Sequence, residues 1–158
     1  MPTLVRCISV AVAIAACHAA PPYRPRLRAF TVTTVPLLTK ELAKTYPFLT
    51  QDFAKGGLLD GKEIYAFVPS TLMAYEGDTL ELTFFNPEDD AHTFVLPDFA
   101  IALPGQSKRT ARYVAHEAGI YTFRCNIPQH APMMSGELVV LPADRGRYFA
   151  GDVDARPH

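Results

Sequence analysis

The sequence predicts an all-β domain with a short helical insertion near its N-terminus. Three observations carry that expectation: short runs rich in Thr, Val, Phe and Tyr at regular intervals, fourteen prolines, and no long stretch of helical periodicity. With 158 residues the chain has room for one domain plus short extensions.

The strands are expected in order along the chain. Ala29–Val35 alternates enough to be the first. Leu38, Leu42, Ala43, Tyr46, Leu49 and Phe53 then recur at helical intervals, and Pro47 limits this insertion to one or two short helices. Gly56-Gly57 and Asp60-Gly61 punctuate a turn. From there strand signals follow one another at the spacing of a sandwich or barrel: Glu63–Val68, Thr71–Tyr75, Thr79–Phe85, His92–Leu96, Lys108–Val114, Gly119–Cys125 and Ser135–Leu141. In Thr79–Phe85 the leucines and Phe84 should face the core, with Glu81 and Thr83 toward water. Glu76-Gly77-Asp78 reads as a turn and residues 86–91 as an acidic loop.

The flanks read differently. Residues 1–16 carry Arg6 and then an apolar run too short to span a bilayer, the pattern of a secretory signal. Ile14-Ala15-Ala16-Cys17 resembles the lipobox of bacterial lipoproteins, which makes Cys17 the candidate lipidation site and membrane attachment. The competing reading is an ordinary signal cut near Ala19 or Ala20. Residues 17–28 form a Pro/Arg-rich linker, 29–142 the folded domain, and 143–158 a polar C-terminal tail. The expected location is periplasmic or at the cell surface, held by lipid. A formal net charge of -1 gives no footprint for nucleic acid.

Of the three cysteines, Cys7 leaves with the signal and Cys17 is lipidated or removed, so Cys125 is the only thiol of the folded domain. A lone thiol in an oxidising compartment is open to oxidation, and metal ligation is one way to protect it. Its neighbours favour that reading. Cys125, His130 and Met134 follow one another on a single loop between two strands, separated by four and three residues, and His92 begins a strand that a sandwich could bring beside that loop. Two imidazoles, a thiolate and a weak axial thioether form the ligand set of an electron-transfer copper site. Thiolate stabilises Cu(I), the imidazoles hold Cu(II), and a rigid frame keeps reorganisation small. Thr93 and Asn126, adjacent to His92 and Cys125, are candidates for the hydrogen bonds that orient the ligands.

Cys125-Asn-Ile-Pro-Gln-His130-Ala-Pro-Met-Met134-Ser-Gly136 resembles the ligand loop of the cupredoxins (the azurin, plastocyanin and rusticyanin group), with spacing nearest the azurin kind. The likeness extends back through Gly119–Cys125 and His92-Thr-Phe to about Glu63. It implies an eight-stranded Greek-key sandwich, one mononuclear type 1 copper and electron transfer, without enzymatic activity. Met134 fits the azurin-like spacing as axial ligand, and Met133 would fit a shorter loop. The helical segment before Gly56 departs from the minimal pattern.

Other metal readings fare worse. A binuclear copper centre needs two bridging cysteines, where this loop has Asn126 and Gln129. A second copper centre needs more histidines, and His116 and His158 read as surface residues. A Met fourth ligand argues against structural zinc, and no haem-attachment motif is present. The expected partner is a redox protein such as a cytochrome or copper enzyme, met by a monomer. The alternative role is that of a copper carrier or chaperone supplying an exported cuproenzyme. His130, ringed by Pro128, Ala131, Pro132 and Met133, is expected to reach the surface as the electron port.

Overall fold

A computed structural model describes residues 22–131 and 133–143. The expectations about the signal (1–16), Cys17, the linker up to Pro21, and the tail from 144 onward lie outside the described residues, as does Pro132. No helix among the described residues is long and apolar enough to cross a membrane.

Two sheets face one another. One has the order β2-β1-β4-β7, with β1 Leu27–Leu38, β2 Ile64–Val68, β4 Thr79–Asn86 and β7 Ser107–Val114. The other has the order β3-β9-β8-β5-β6, with β3 Thr71–Tyr75, β5 His92–Leu96, β6 Phe99–Leu103, β8 Gly119–Arg124 and β9 Ser135–Leu141. β1 pairs in parallel with β4, and β3 with β9, while the other pairs are antiparallel. Such long-range neighbours are what Greek-key connections produce.

The alternation expected of β4 is present. Leu80, Leu82 and Phe84 are buried, while Glu81 and Thr83 are partly exposed. Between the sheets Phe67, Phe84, Phe94 and Phe123 form one aromatic cluster, with Phe94 stacked on Phe123 at a centroid distance of 4.6 Å and Phe67 edge-on to both. Each such ring contributes about 1.5–3 kcal/mol through burial. This cluster is the floor on which the ends of β5 and β8 rest.

Two expectations are corrected. The described residues hold nine strands, not eight, because Phe99–Leu103 is a strand that pairs back on β5 through the tight turn Pro97-Asp98, with Leu96 opposite Phe99. A short, wholly apolar run bounded by a turn is a fair strand signal, but Phe-Ala-Ile-Ala-Leu does not alternate in polarity and so lacks the period on which the other strands stand out. The first strand is also longer than expected: Leu27 and Arg28, placed in the linker, pair with Thr79 and Leu80 of β4.

The insertion forms two short helices, α1 (Leu42–Thr45) and α2 (Leu49–Phe53), with Pro47 between them as expected. It leaves β1 at Leu38 and returns at Ile64, which pair with each other, and the Lys40 amide donates to the Glu63 carboxylate at 2.9 Å to close its base.

At the other end of the sandwich the chain is fastened by Asp78. This buried carboxylate accepts from the Tyr23 hydroxyl at 2.6 Å, the Arg26 amide at 2.7 Å and the Tyr75 amide at 3.0 Å, and forms an ion pair with Arg28. Gly77, at φ +84, makes the turn that presents it.

Candidate metal centre

Residues reach the site from three places. His92 opens β5 with its side chain directed into the core, on the same face as Phe94. Cys125 follows the last residue of β8 on the inward side shared with Phe123. His130 sits on the loop between β8 and β9, which curls into a turn because the amides of His130 and Ala131 both donate to the Ile127 carbonyl at 3.0 Å. Met134 closes the loop: its carbonyl accepts from the Cys125 amide at 2.9 Å, and its own amide donates to the His130 carbonyl at 3.1 Å.

The donor atoms converge. The Nδ1 atoms of His92 and His130 are 3.1 Å apart, His130 Nδ1 lies 3.8 Å from Cys125 Sγ, and all three donors lie within 4.8 Å of one another. Two nitrogens each bound at about 2.0 Å to one first-row ion would be separated by about this much, so the pair fits a shared metal. His92 and His130 are only 1% and 6% exposed and Cys125 is fully buried, which places the donors in a dry pocket. Of the two methionines, Met134 is buried and Met133 is 61% exposed, so Met134 is the one inside the domain.

Burial sets the electrostatics. It lowers the His92 pKa to about 4, helped by the neighbouring His130 and opposed by Asp90. Burial also lowers the His130 pKa, against the carboxylates of Asp90 and Glu63. Both imidazoles are therefore neutral at pH 7, which frees lone pairs for a metal.

Thr93 and Asn126, expected to orient the ligands, do meet. The Thr93 hydroxyl accepts from the Asn126 amide at 2.9 Å, donates to its side-chain oxygen at 2.7 Å, and stands 3.6 Å from Cys125 Sγ. The residue after His92 is thus locked to the residue after Cys125, just where the β5–β8 ladder, paired at Val95 and Arg124, gives out.

Two further residues support the site without having been anticipated. Asn86, buried at the end of β4, donates through its amide nitrogen to the carbonyls of Asp90, Leu103 and Pro104 and accepts from the Thr34 hydroxyl at 2.6 Å. It ties the acidic loop that leads into His92 to the strand opposite, since Leu103 is the residue paired with His92. Tyr65, on the inward face of β2, lays its ring 4.7 Å from both imidazoles. Asn86 begins an Asn-Pro turn and Tyr65 belongs to an ordinary alternating strand, so neither position stands out in sequence.

His130 does not reach the surface as expected. At 6% exposure the residue is almost covered, while Pro128 and Met133 of the same loop are exposed. His116 is exposed in the β7–β8 turn, at the far end from the metal site.

No protein-family model matches the sequence, and no curated protein is significantly similar to it. Solved structures are. The multicopper oxidase mgLAC superposes with a TM-score of 0.52 at 13% identity over 75% of this chain, and another multicopper oxidase with 0.50 at 20% identity over 74%. The fold is cupredoxin-like. This chain spans only 40% and 43% of those two oxidase chains. Auracyanin A, a blue copper protein of the green thermophilic photosynthetic bacterium Chloroflexus aurantiacus, gives a TM-score of 0.47 at 18% identity over 72% of this chain and 98% of its own. On this cupredoxin-like frame the buried His92, Cys125 and His130 group fits a type 1 copper site in donor type and spacing.

Proposed function

We propose that the protein is an exported electron carrier in which His92, Cys125, His130 and Met134 would hold one type 1 copper. The observation that carries this reading is the convergence of two Nδ1 atoms and one thiol sulfur in a dry pocket. A copper bound there would supply a one-electron couple, with thiolate favouring the reduced ion and imidazole tolerating the oxidised one. The chain's own residues supply the rest. The aromatic floor, the Thr93–Asn126 lock and the Asn86 tie hold the ligands in one arrangement, and burial excludes water from them. Met134 would complete the donor set, because it is buried beside Cys125, whose amide donates to its carbonyl.

Export and lipid attachment at Cys17 rest on the N-terminal sequence. Mass spectrometry of the mature N-terminus tests them: a diacylated Cys17 is expected, and an unmodified N-terminus at residue 20 or 21 would exclude the anchor.

Exposed Met133 is the contact through which a redox partner would approach, over an interface below about 1,200 Å². Replacing Met133 with Lys should slow electron exchange with a cytochrome partner and leave the copper spectrum intact. An unchanged rate would remove Met133 from the docking surface.

Copper delivery is the competing role, because the same donors would serve it. Exchange kinetics separate the two. An electron carrier keeps its copper through repeated reduction and oxidation in the presence of a Cu(I) chelator, whereas a delivery protein surrenders it on reduction.

A further inference from the structure

We propose that Tyr65 is the positioning residue for both imidazoles, one ring orienting two ligands; the inference rests on the type 1 reading of the site. A ligating histidine usually donates its second ring nitrogen to a carbonyl, carboxylate or water, which fixes the ring. His92 has no such partner: its Nε2 is buried and bonded to nothing among the described residues. With Nδ1 turned toward His130, the His92 ring has no hydrogen bond to set its tilt apart from the donor side. Packing must do so, and Tyr65 is placed for it. Its ring stands edge-on to His92 at 62° and tilted by 56° to His130, 4.7 Å from each, while the two imidazoles are also 4.7 Å from one another. Three rings thus form a closed triangle.

The Tyr65 ring is itself fixed at both ends. Its backbone lies in β2 opposite Pro36 of β1, and Phe67, two residues on, is embedded in the aromatic floor. Its hydroxyl donates to the Asp90 carboxylate and lies 3.4 Å from Glu63. Asp90 is two residues before His92, and its carbonyl is held by Asn86. Strand β2, the acidic loop and both histidines are therefore joined through one side chain.

The test compares full-length wild type with Tyr65→Phe and Tyr65→Leu, loaded with Cu(II), by absorption, paramagnetic resonance and the rate of copper release to a chelator. Circular dichroism and thermal melting check the fold. Loss of the ring in Tyr65→Leu should speed release by about tenfold or more and replace one resonance signal with several, as expected when the outer support of a metal ligand is removed. Tyr65→Phe keeps the ring and loses only its hydroxyl anchor, so release should rise by about fivefold with a single signal retained. A folded Tyr65→Leu with wild-type signal and release rate would overturn the inference. If Tyr65→Leu does not fold, Tyr65→Phe decides: faster release supports the inference and an unchanged rate overturns it. If wild type takes up no Cu(II), the type 1 reading fails and the metal-free proteins decide by nitrogen-15 resonance of the imidazoles. Fixed tautomers in wild type that become averaged in Tyr65→Phe support the positioning role, and identical ring signals overturn it.

Discussion

The two ends of this sandwich solve opposite problems with buried polar groups. At the Asp78 end every donor has been found: two side chains and two amides converge on one carboxylate, and Arg28 also lies over the Tyr75 ring, which is stacked on Tyr23. Hydrogen bonds and charge hold that end shut. At the metal end the imidazoles are left in want of partners. Two imidazole nitrogens face each other, His92 Nε2 is unpaired among the described residues, and the Tyr65 ring packs against both histidines while Thr93, Asn126 and Asn86 hold the backbone around them. A saturated network stabilises the fold, whereas an unsaturated one of soft donors is a place prepared for an ion.

Variants at the two ends should therefore separate stability from metal chemistry. Asp78→Ala should have the largest effect on folding, lowering the unfolding free energy by about 3 kcal/mol, near the lower end for a broken buried pair because Arg28 keeps some water. Its copper spectrum should match wild type in denaturant titrations paired with absorption; an altered spectrum would show that the ends are coupled. Gly136→Ala comes next. A Cβ there would lie 2.3 Å from the Ser70 carbonyl oxygen and 2.4 Å from the Phe123 ring, so overpacking should cost about 1–3 kcal/mol by thermal or chemical unfolding. Because Gly136 lies two residues after Met134, this variant should disturb both stability and spectrum. Thr93→Val should be the mildest, costing about 1 kcal/mol and shifting the copper band through the freed Asn126.

Acid should also take the two ends apart in sequence. In the metal-free protein His92 is held below its ordinary 6.5, at about 4, so an unfolded chain binds the proton first and stability falls as pH drops from 6.5 to 4. For Asp78, burial alone would raise the pKa, but Arg28, Tyr23 and the two amides outweigh it and hold the value at about 2, against an ordinary 3.8. Its contribution is complete above pH 4 and disappears as pH falls toward 2. Stability measured against pH should show two declines, and Asp78→Asn should remove only the lower one. A single decline common to wild type and Asp78→Asn would contradict the division.

The difference between the ends also explains what could be read in advance. Cys125, His130 and Met134 share one short loop, so their spacing is visible in the sequence, and His92 could be paired with them once the loop was seen. Strand signals at regular spacing, bounded by turns, located β3, β5 and β9 at their observed bounds. Contacts made across long separations were not legible. Tyr65 reaches the site from β2, yet in Ile-Tyr-Ala-Phe-Val it has the pattern of any core tyrosine. Asp78 looked like turn chemistry because Tyr23, Arg26 and Arg28, three of its four partners, lie some fifty residues earlier, in a segment whose prolines suggested a free tether. β6 escaped because Phe-Ala-Ile-Ala-Leu is apolar throughout, so its alternating burial leaves no alternation of polarity in the sequence.

Visible absorption and paramagnetic resonance of the Cu(II)-loaded full chain would show directly whether the three converging donors form a type 1 copper centre. An intense thiolate-to-copper band with narrow hyperfine splitting is expected, bleached reversibly by reduction and absent in Cys125→Ser. A colourless protein, or a band that survives Cys125→Ser, would contradict it.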